Sequence, residues 1–208
     1  MEEGKVGRFF AILERGIPLK TWIYFVRHAA SPFYPGNERN RGLSEQGRRD
    51  AVRVAEMLRH EGIDVLASSS YARAVETVKP LADLLGKDIL LFDELAERAI
   101  GSTDIRIDED ELQKAIETSF TDPDFCLPEG ETTRQARERA IPVIKQLLAD
   151  HAGRKIAIGT HGNIMTIILQ TFDEKYGYGF FVQTSKPDIY KAEFEGFELK
   201  NVTRLWQP

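Results

Sequence analysis

An alternation runs through most of this chain and limits what it can fold into. Short apolar runs rich in β-branched and aromatic residues are followed by longer segments whose apolar residues recur at helical spacing. Thr21–Val26, Asp64–Ser68, Ile89–Phe92 and Lys155–Gly159 are too short for helices and read as buried strands. Between them, Ser44 is an N-cap for a helix carrying Ala51, Val54, Ala55 and Leu58 on one face, ended by Gly62. Tyr71–Leu85 reads as a second helix stopped by Gly86, and Thr133–Asp150 as a third with Ala136, Ala140, Val143, Ile144 and Leu147 on its inner face. Asn163–Phe172 is an apolar helix that must be buried, and Ile189–Phe194 with Glu198–Leu205 predicts a hairpin turning at Gly196.

Strand–helix alternation of this kind predicts a three-layer α/β/α sandwich around a mostly parallel central sheet. The 208 residues suffice for one such domain, taken here as 21–208, with 1–20 as an N-terminal extension, either a short helix on the domain edge or a frayed end. Residues 99–130 have little strand character. A helix over Asp108–Phe120 and a loop over Asp122–Gly130 would make them a small cap insert beside the strand ends.

The bulk chemistry excludes several function classes. A formal charge of -5 with no consecutive basic block argues against nucleic acid as a partner. Cys126 is the single cysteine, so neither an internal disulfide nor a cysteine metal site is expected. No apolar stretch approaches the ~20 residues of a membrane span, and Phe9–Leu13 is too short for a secretory signal core. The expectation is a cytoplasmic protein with no membrane partner, for which the hairpin edge and residues 1–20 leave room for a homodimer.

Polar residues cluster where the strands end, and in an open α/β sheet that edge receives ligands. Arg27 and His28 follow the first strand, Arg73 the second, Glu97 and Arg98 the third, and His161 and Gly162 the fourth. His60 and His151 close amphipathic helices instead, where a cationic ring suits the dipole, so they are structural. Arg27 needs either a salt-bridge partner or an anionic ligand. Arg73 lies in the first turn of its helix, a position where a bound phosphate would use both the guanidinium and free backbone N–H groups. Glu97 is either an ion-pair partner of an arginine such as Arg98 or a general acid. Gly162, after His161, leaves room for close approach of an anion. The set suits one small, multiply charged anion.

These segments resemble the signature of the histidine phosphatase superfamily, whose fold is phosphoglycerate mutase-like. The family's Arg-His-Gly stands here as Arg27-His28-Ala29, and its Leu-Ser/Thr-x-x-Gly helix start as Leu43-Ser44-Glu45-Gln46-Gly47. Ser69-Ser70-Tyr71-Ala72-Arg73-Ala74 with Thr77, Leu95-Ala96-Glu97-Arg98, Gly130-Glu131-Thr132 and Thr160-His161-Gly162 follow in family order. The resemblance implies a metal-independent phosphomonoester hydrolase with no cofactor, acting on a small phosphorylated metabolite. It implies His28 as nucleophile through a phosphohistidine, Glu97 as proton shuttle, and Arg27, Arg73 and His161 as the phosphate clamp. Arg98 resembles the residue that reads a substrate carboxylate in mutases, and Gly162 joins it in the expected substrate site.

Mutase-type members carry a Trp-Asn after the first histidine, whereas here Ala29-Ala30-Ser31-Pro32-Phe33-Tyr34 follows. With a short 99–130 insert and little chain after the hairpin for a lid, this favours hydrolysis over a cofactor-dependent mutase. A non-catalytic phosphate-sensing domain is the alternative of another class. Specificity is expected from the Pro32–Gly42 loop and the insert.

Overall fold

The structure, a computed structural model, describes residues 19–207. The readings made for residues 1–18, including Phe9–Leu13, lie outside the described residues.

The elements follow in the order β1 (Lys20–Arg27), α1 (Glu45–Leu58), β2 (Val65–Ser69), α2 (Ala72–Leu85), β3 (Ile89–Phe92), α3 (Glu109–Thr121), α4 (Thr133–Asp150), β4 (Lys155–Thr160), α5 (Gly162–Phe172), α6 (Tyr178–Phe181), β5 (Asp188–Glu195) and β6 (Glu198–Arg204). The six strands form one mixed sheet in the order β3-β2-β4-β1-β5-β6. Pairing is parallel from β3 through β1 and antiparallel from β1 through β6.

Helices cover both faces, which explains why β1 and β4 read as nearly unbroken apolar runs. On one face α4 and α5 supply Ala140, Ile144, Ile164 and Ile168 against Ile23, Phe25 and Ile158. On the other, α1 and α2 supply Val54, Leu58, Val78 and Leu81 against Tyr24, Val26 and Ala157. Burying one side chain of this class contributes roughly 1.5–3 kcal/mol. α5 is buried almost all round because α4 packs on one side of it and the sheet on another.

Two motifs acquire a mechanical reason. The Ser44 hydroxyl caps α1 by accepting from Gly47 N (3.0 Å), while Ser44 N donates to Ala30 O (2.9 Å). A Cβ on Gly47 would meet that same Ala30 carbonyl at 2.2 Å, so only glycine lets α1 press against the loop after His28. Three details differ from expectation. α1 ends at Leu58 rather than at Gly62, because Arg59–Glu61 already turn and Glu61 N returns to Leu58 O (3.0 Å). A 3₁₀ turn, Asp93–Leu95, and the short α6 were not anticipated.

Candidate active site

Register brings the two histidines together. Arg27 on β1 pairs with Thr160 on β4, and His28 N extends the ladder to Thr160 O (2.9 Å). His28 and His161 therefore leave adjacent central strands side by side, with ring centroids 5.3 Å apart at 63°. Both are buried, at 4 % and 0 % exposure. Burial, followed by the Arg73 charge, pushes both imidazoles well below the ordinary histidine range, so they are neutral at neutral pH. His28 Nδ1 donates to its neighbour's carbonyl, Ala29 O (2.7 Å), which leaves the lone pair on Nε2. His161 Nε2 meets Ser69 Oγ at 2.9 Å, and its Nδ1 is buried with no partner among the described residues. Thr77 braces the loop: its hydroxyl accepts from Ala29 N (3.0 Å) and donates to Arg73 O (2.7 Å).

Arg27 and Arg73 flank the histidines. Arg27 Nη1 donates to Thr184 O (3.1 Å) and to the Thr184 hydroxyl, while Nε is buried with no partner among the described residues. Arg73 is fully buried, and burial lowers its guanidinium to about 10. Its Nη2 meets Glu38 Oε1 at 2.6 Å and its Nη1 meets Glu38 O at 2.7 Å, leaving Nε without a partner among the described residues. The same carboxylate receives Arg41 Nε (2.7 Å) and Nη2 (3.1 Å). Glu38 thus clasps two arginines with one carboxylate.

At the starts of α2 and α5, some of the backbone N–H groups already have acceptors from the protein itself. At α2, Ala72 N donates to Arg39 O (2.9 Å). At α5, the Glu97 carboxylate accepts from Asn163 N (3.1 Å), Ile164 N (2.9 Å) and, from its own neighbour, Arg98 N (3.0 Å). The acceptor at this helix start is the Glu97 carboxyl, and no ion pair joins Glu97 to Arg98. Gly162 makes room for a different group than anticipated: a Cβ there would lie 2.6 Å from Arg27 Cζ, so the guanidinium rests where a side chain would be.

Arg98 is 3 % exposed and donates Nη1 to Thr133 Oγ1 (2.8 Å), with no partner for Nε or Nη2 among the described residues; burial lowers its guanidinium to about 10. It opens onto a cavity of about 400 Å³ shared with Arg41, Glu38, Lys186 and the insert residues Ile105, Arg106 and Leu112. Glu38, Arg41 and Lys186 were missed by sequence reasoning. None lies in a periodic segment or at a strand end, and only closure of the 32–42 and 183–187 loops puts them here. Among the described residues no group of three or more His, Cys, Asp or Glu side chains could hold a metal ion, and no helix is long and apolar enough to cross a membrane.

Comparison with known proteins agrees with this geometry. A probable phosphoglycerate mutase of Yersinia pestis is 29% identical over 159 residues, covering 72% of this chain and 73% of the relative. A phosphoglycerate mutase of Schizosaccharomyces pombe is 24% identical over 169 residues, covering 74% and 80%. Among solved structures, a mycobacterial glucosyl-3-phosphoglycerate phosphatase superposes with TM-score 0.71 at 18% identity, covering 89% of this chain and 97% of that one. A phosphoserine phosphatase from Entamoeba histolytica, in complex with 3-phosphoglyceric acid, gives 0.73 at 17% identity, covering 90% and 98%. The family profile described as histidine phosphatase superfamily (branch 1) matches residues 23–195, and with the paired histidines, the arginines and the sheet in agreement, the chain belongs to that superfamily.

Proposed function

We propose that the chain hydrolyses phosphomonoesters of small metabolites through a phosphohistidine on His28. The observation that carries this reading is a neutral, buried His28 whose Nδ1 is tied to Ala29 O, so that Nε2 is aimed and unprotonated beside Arg27, Arg73 and His161. In the first step Nε2 bonds to phosphorus as the P–O bond to the leaving group breaks, and Glu97 delivers a proton to that oxygen. Arg27, Arg73 and the His161 Nδ1–H hold the equatorial oxygens as charge spreads over them. Water then attacks phosphorus, its proton passes to Glu97, the P–N bond breaks and neutral His28 returns.

Two side chains are positioning residues in this scheme. Ser69 orients His161 through the Nε2 contact, and Thr77 fixes the Ala29 loop to α2. Gly162 acts by admitting Arg27, and Arg98 stands on the substrate side.

A mutase is the second reading, because the sequence relatives are named phosphoglycerate mutases. The insert between Arg98 and Glu131 supplies one helix, α3, and the site opens to the 400 Å³ cavity, an arrangement suited to admitting water. Incubation with 3-phosphoglycerate separates the readings: release of inorganic phosphate supports hydrolysis, and interconversion to 2-phosphoglycerate without release supports the mutase. In the same assay H28N is expected to lose turnover by three orders of magnitude or more, about 4 kcal/mol of barrier. Turnover equal to wild type would end the phosphohistidine reading.

A further inference from the structure

The charges of the crevice divide into two groups. Arg73 and Arg41 are already clasped by Glu38. Across the adjoining cavity, Arg98, Arg106 and Lys186 form no ion pair among the described residues. Glu109, in the first turn of α3, is the one other carboxylate on this wall, so four cations face two carboxylates there. This excess is local, since the chain as a whole carries a formal charge of -5.

The two outer cations come from different parts of the chain and face the same space. Arg106 belongs to the insert, and its guanidinium lies over the Phe33 ring at 5.9 Å to the centroid, a stack that fixes where the charge is presented. Lys186 precedes β5 and lines the same cavity. The surrounding protein first, and the Arg27 and Arg41 charges next, hold its ammonium below the ordinary lysine value, with Glu97 opposing them. Bringing an anion to that place relieves the repulsion. The phosphate under attack cannot do this for all of them: Lys186 is near enough to act on His28 as well, but Arg98 and Arg106 face the cavity that extends beyond the strand ends.

We infer that Lys186 and Arg106 determine specificity by receiving a second anionic group of the substrate, a carboxylate or a second phosphate, carried beyond the phosphate that is cleaved. This rests on the hydrolase reading and names the class of phosphomonoester that the site selects. Ile105 and Leu112 line the intervening wall, so the scaffold joining the two anions passes apolar surface.

Kinetics with three substrates test it: p-nitrophenyl phosphate, which lacks a second anion, 3-phosphoglycerate and fructose 1,6-bisphosphate. In K186M and R106Q, KM for one or both of the doubly anionic substrates is expected to rise about tenfold or more, with kcat and all p-nitrophenyl phosphate constants within about twofold. K186R should restore the wild-type ratio. Loss confined to 3-phosphoglycerate identifies a carboxylate as the second anion, and loss confined to the bisphosphate identifies a phosphate. Equal loss on all three substrates, or none on any, overturns the inference. Calorimetric binding of the same doubly anionic compounds, relative to inorganic phosphate, in an H28N background makes the test independent of turnover. If wild type hydrolyses nothing, the function proposed above falls. The inference stands or falls separately on whether K186M weakens that relative binding.

Discussion

Glu38 shows how single residues set the electrostatics of this crevice. Arg73 is wholly buried and Glu38 is its one ion-pair partner among the described residues, a carboxylate that also holds Arg41. Removing one member of such a pair leaves a buried charge uncompensated, at a cost of about 3 kcal/mol. Glu38→Ala is therefore expected to lower the denaturation midpoint in plain buffer. Inorganic phosphate can take over the same guanidinium donors, so millimolar phosphate should raise the variant's melting temperature more than that of wild type. An equal phosphate shift in both proteins would mean that Glu38 and the ligand do not share Arg73. Arg27, His28, Arg73, Glu97 and His161 were readable from sequence because each ends or follows a recognisable strand. Glu38 and Lys186 were not, since a loop carboxylate and a loop lysine look like ordinary surface until tertiary closure pairs or crowds them.

At the level of elements, the junction between the turn after β3 and the start of α5 joins structure to chemistry. Glu97 satisfies two N–H groups of α5 that have no acceptor within the helix, and the same carboxyl is the proposed proton shuttle. The two roles separate by substitution. Glu97→Gln keeps an acceptor for the helix start but cannot shuttle a proton, so kcat should fall about 10²–10⁴-fold with little change in stability. Glu97→Ala should lose activity similarly and also about 1 kcal/mol of stability from the uncapped helix. The drop is expected to shrink for p-nitrophenyl phosphate, whose leaving group needs no proton, and comparison with an alkyl phosphate measures this. The strands and long helices were legible because burial on both faces of β1 and β4 leaves an unbroken apolar run, and burial on one face of α4 leaves a helical period. α6 is a single turn of Tyr178–Phe181, held by Phe180 against Tyr190 and Phe181 against Phe120, contacts between distant residues that no local pattern encodes.

For the whole molecule, placing two neutral histidines in the sheet couples folding to pH. Their pKa values are depressed on folding, so the unfolded chain, titrating near the ordinary histidine value, binds more protons than the native one at mildly acidic pH. Stability contributed this way is complete above about pH 6.5 and is lost as pH falls below it. With both rings unprotonated in the native state, the slope approaches about 2.7 kcal/mol per pH unit. Urea midpoints should hold between pH 7 and about 6.5, then fall as pH drops towards 5 in wild type and less steeply in His161→Gln; matching profiles would assign the pH sensitivity to other groups. The sheet order has one more consequence. The residues proposed to react follow β1, β2, β4 and the turn after β3, whereas the cavity wall comes mainly from the 32–42 loop, the 99–130 insert and Lys186 in the loop before β5, none of which adds a strand to the ladder. Chemistry and selectivity are therefore inherited separately: the loops can be lengthened, shortened or grafted from a cousin while the hydrogen-bond register keeps the two histidines in place, so a lineage on this scaffold can change diet without reinventing its reaction.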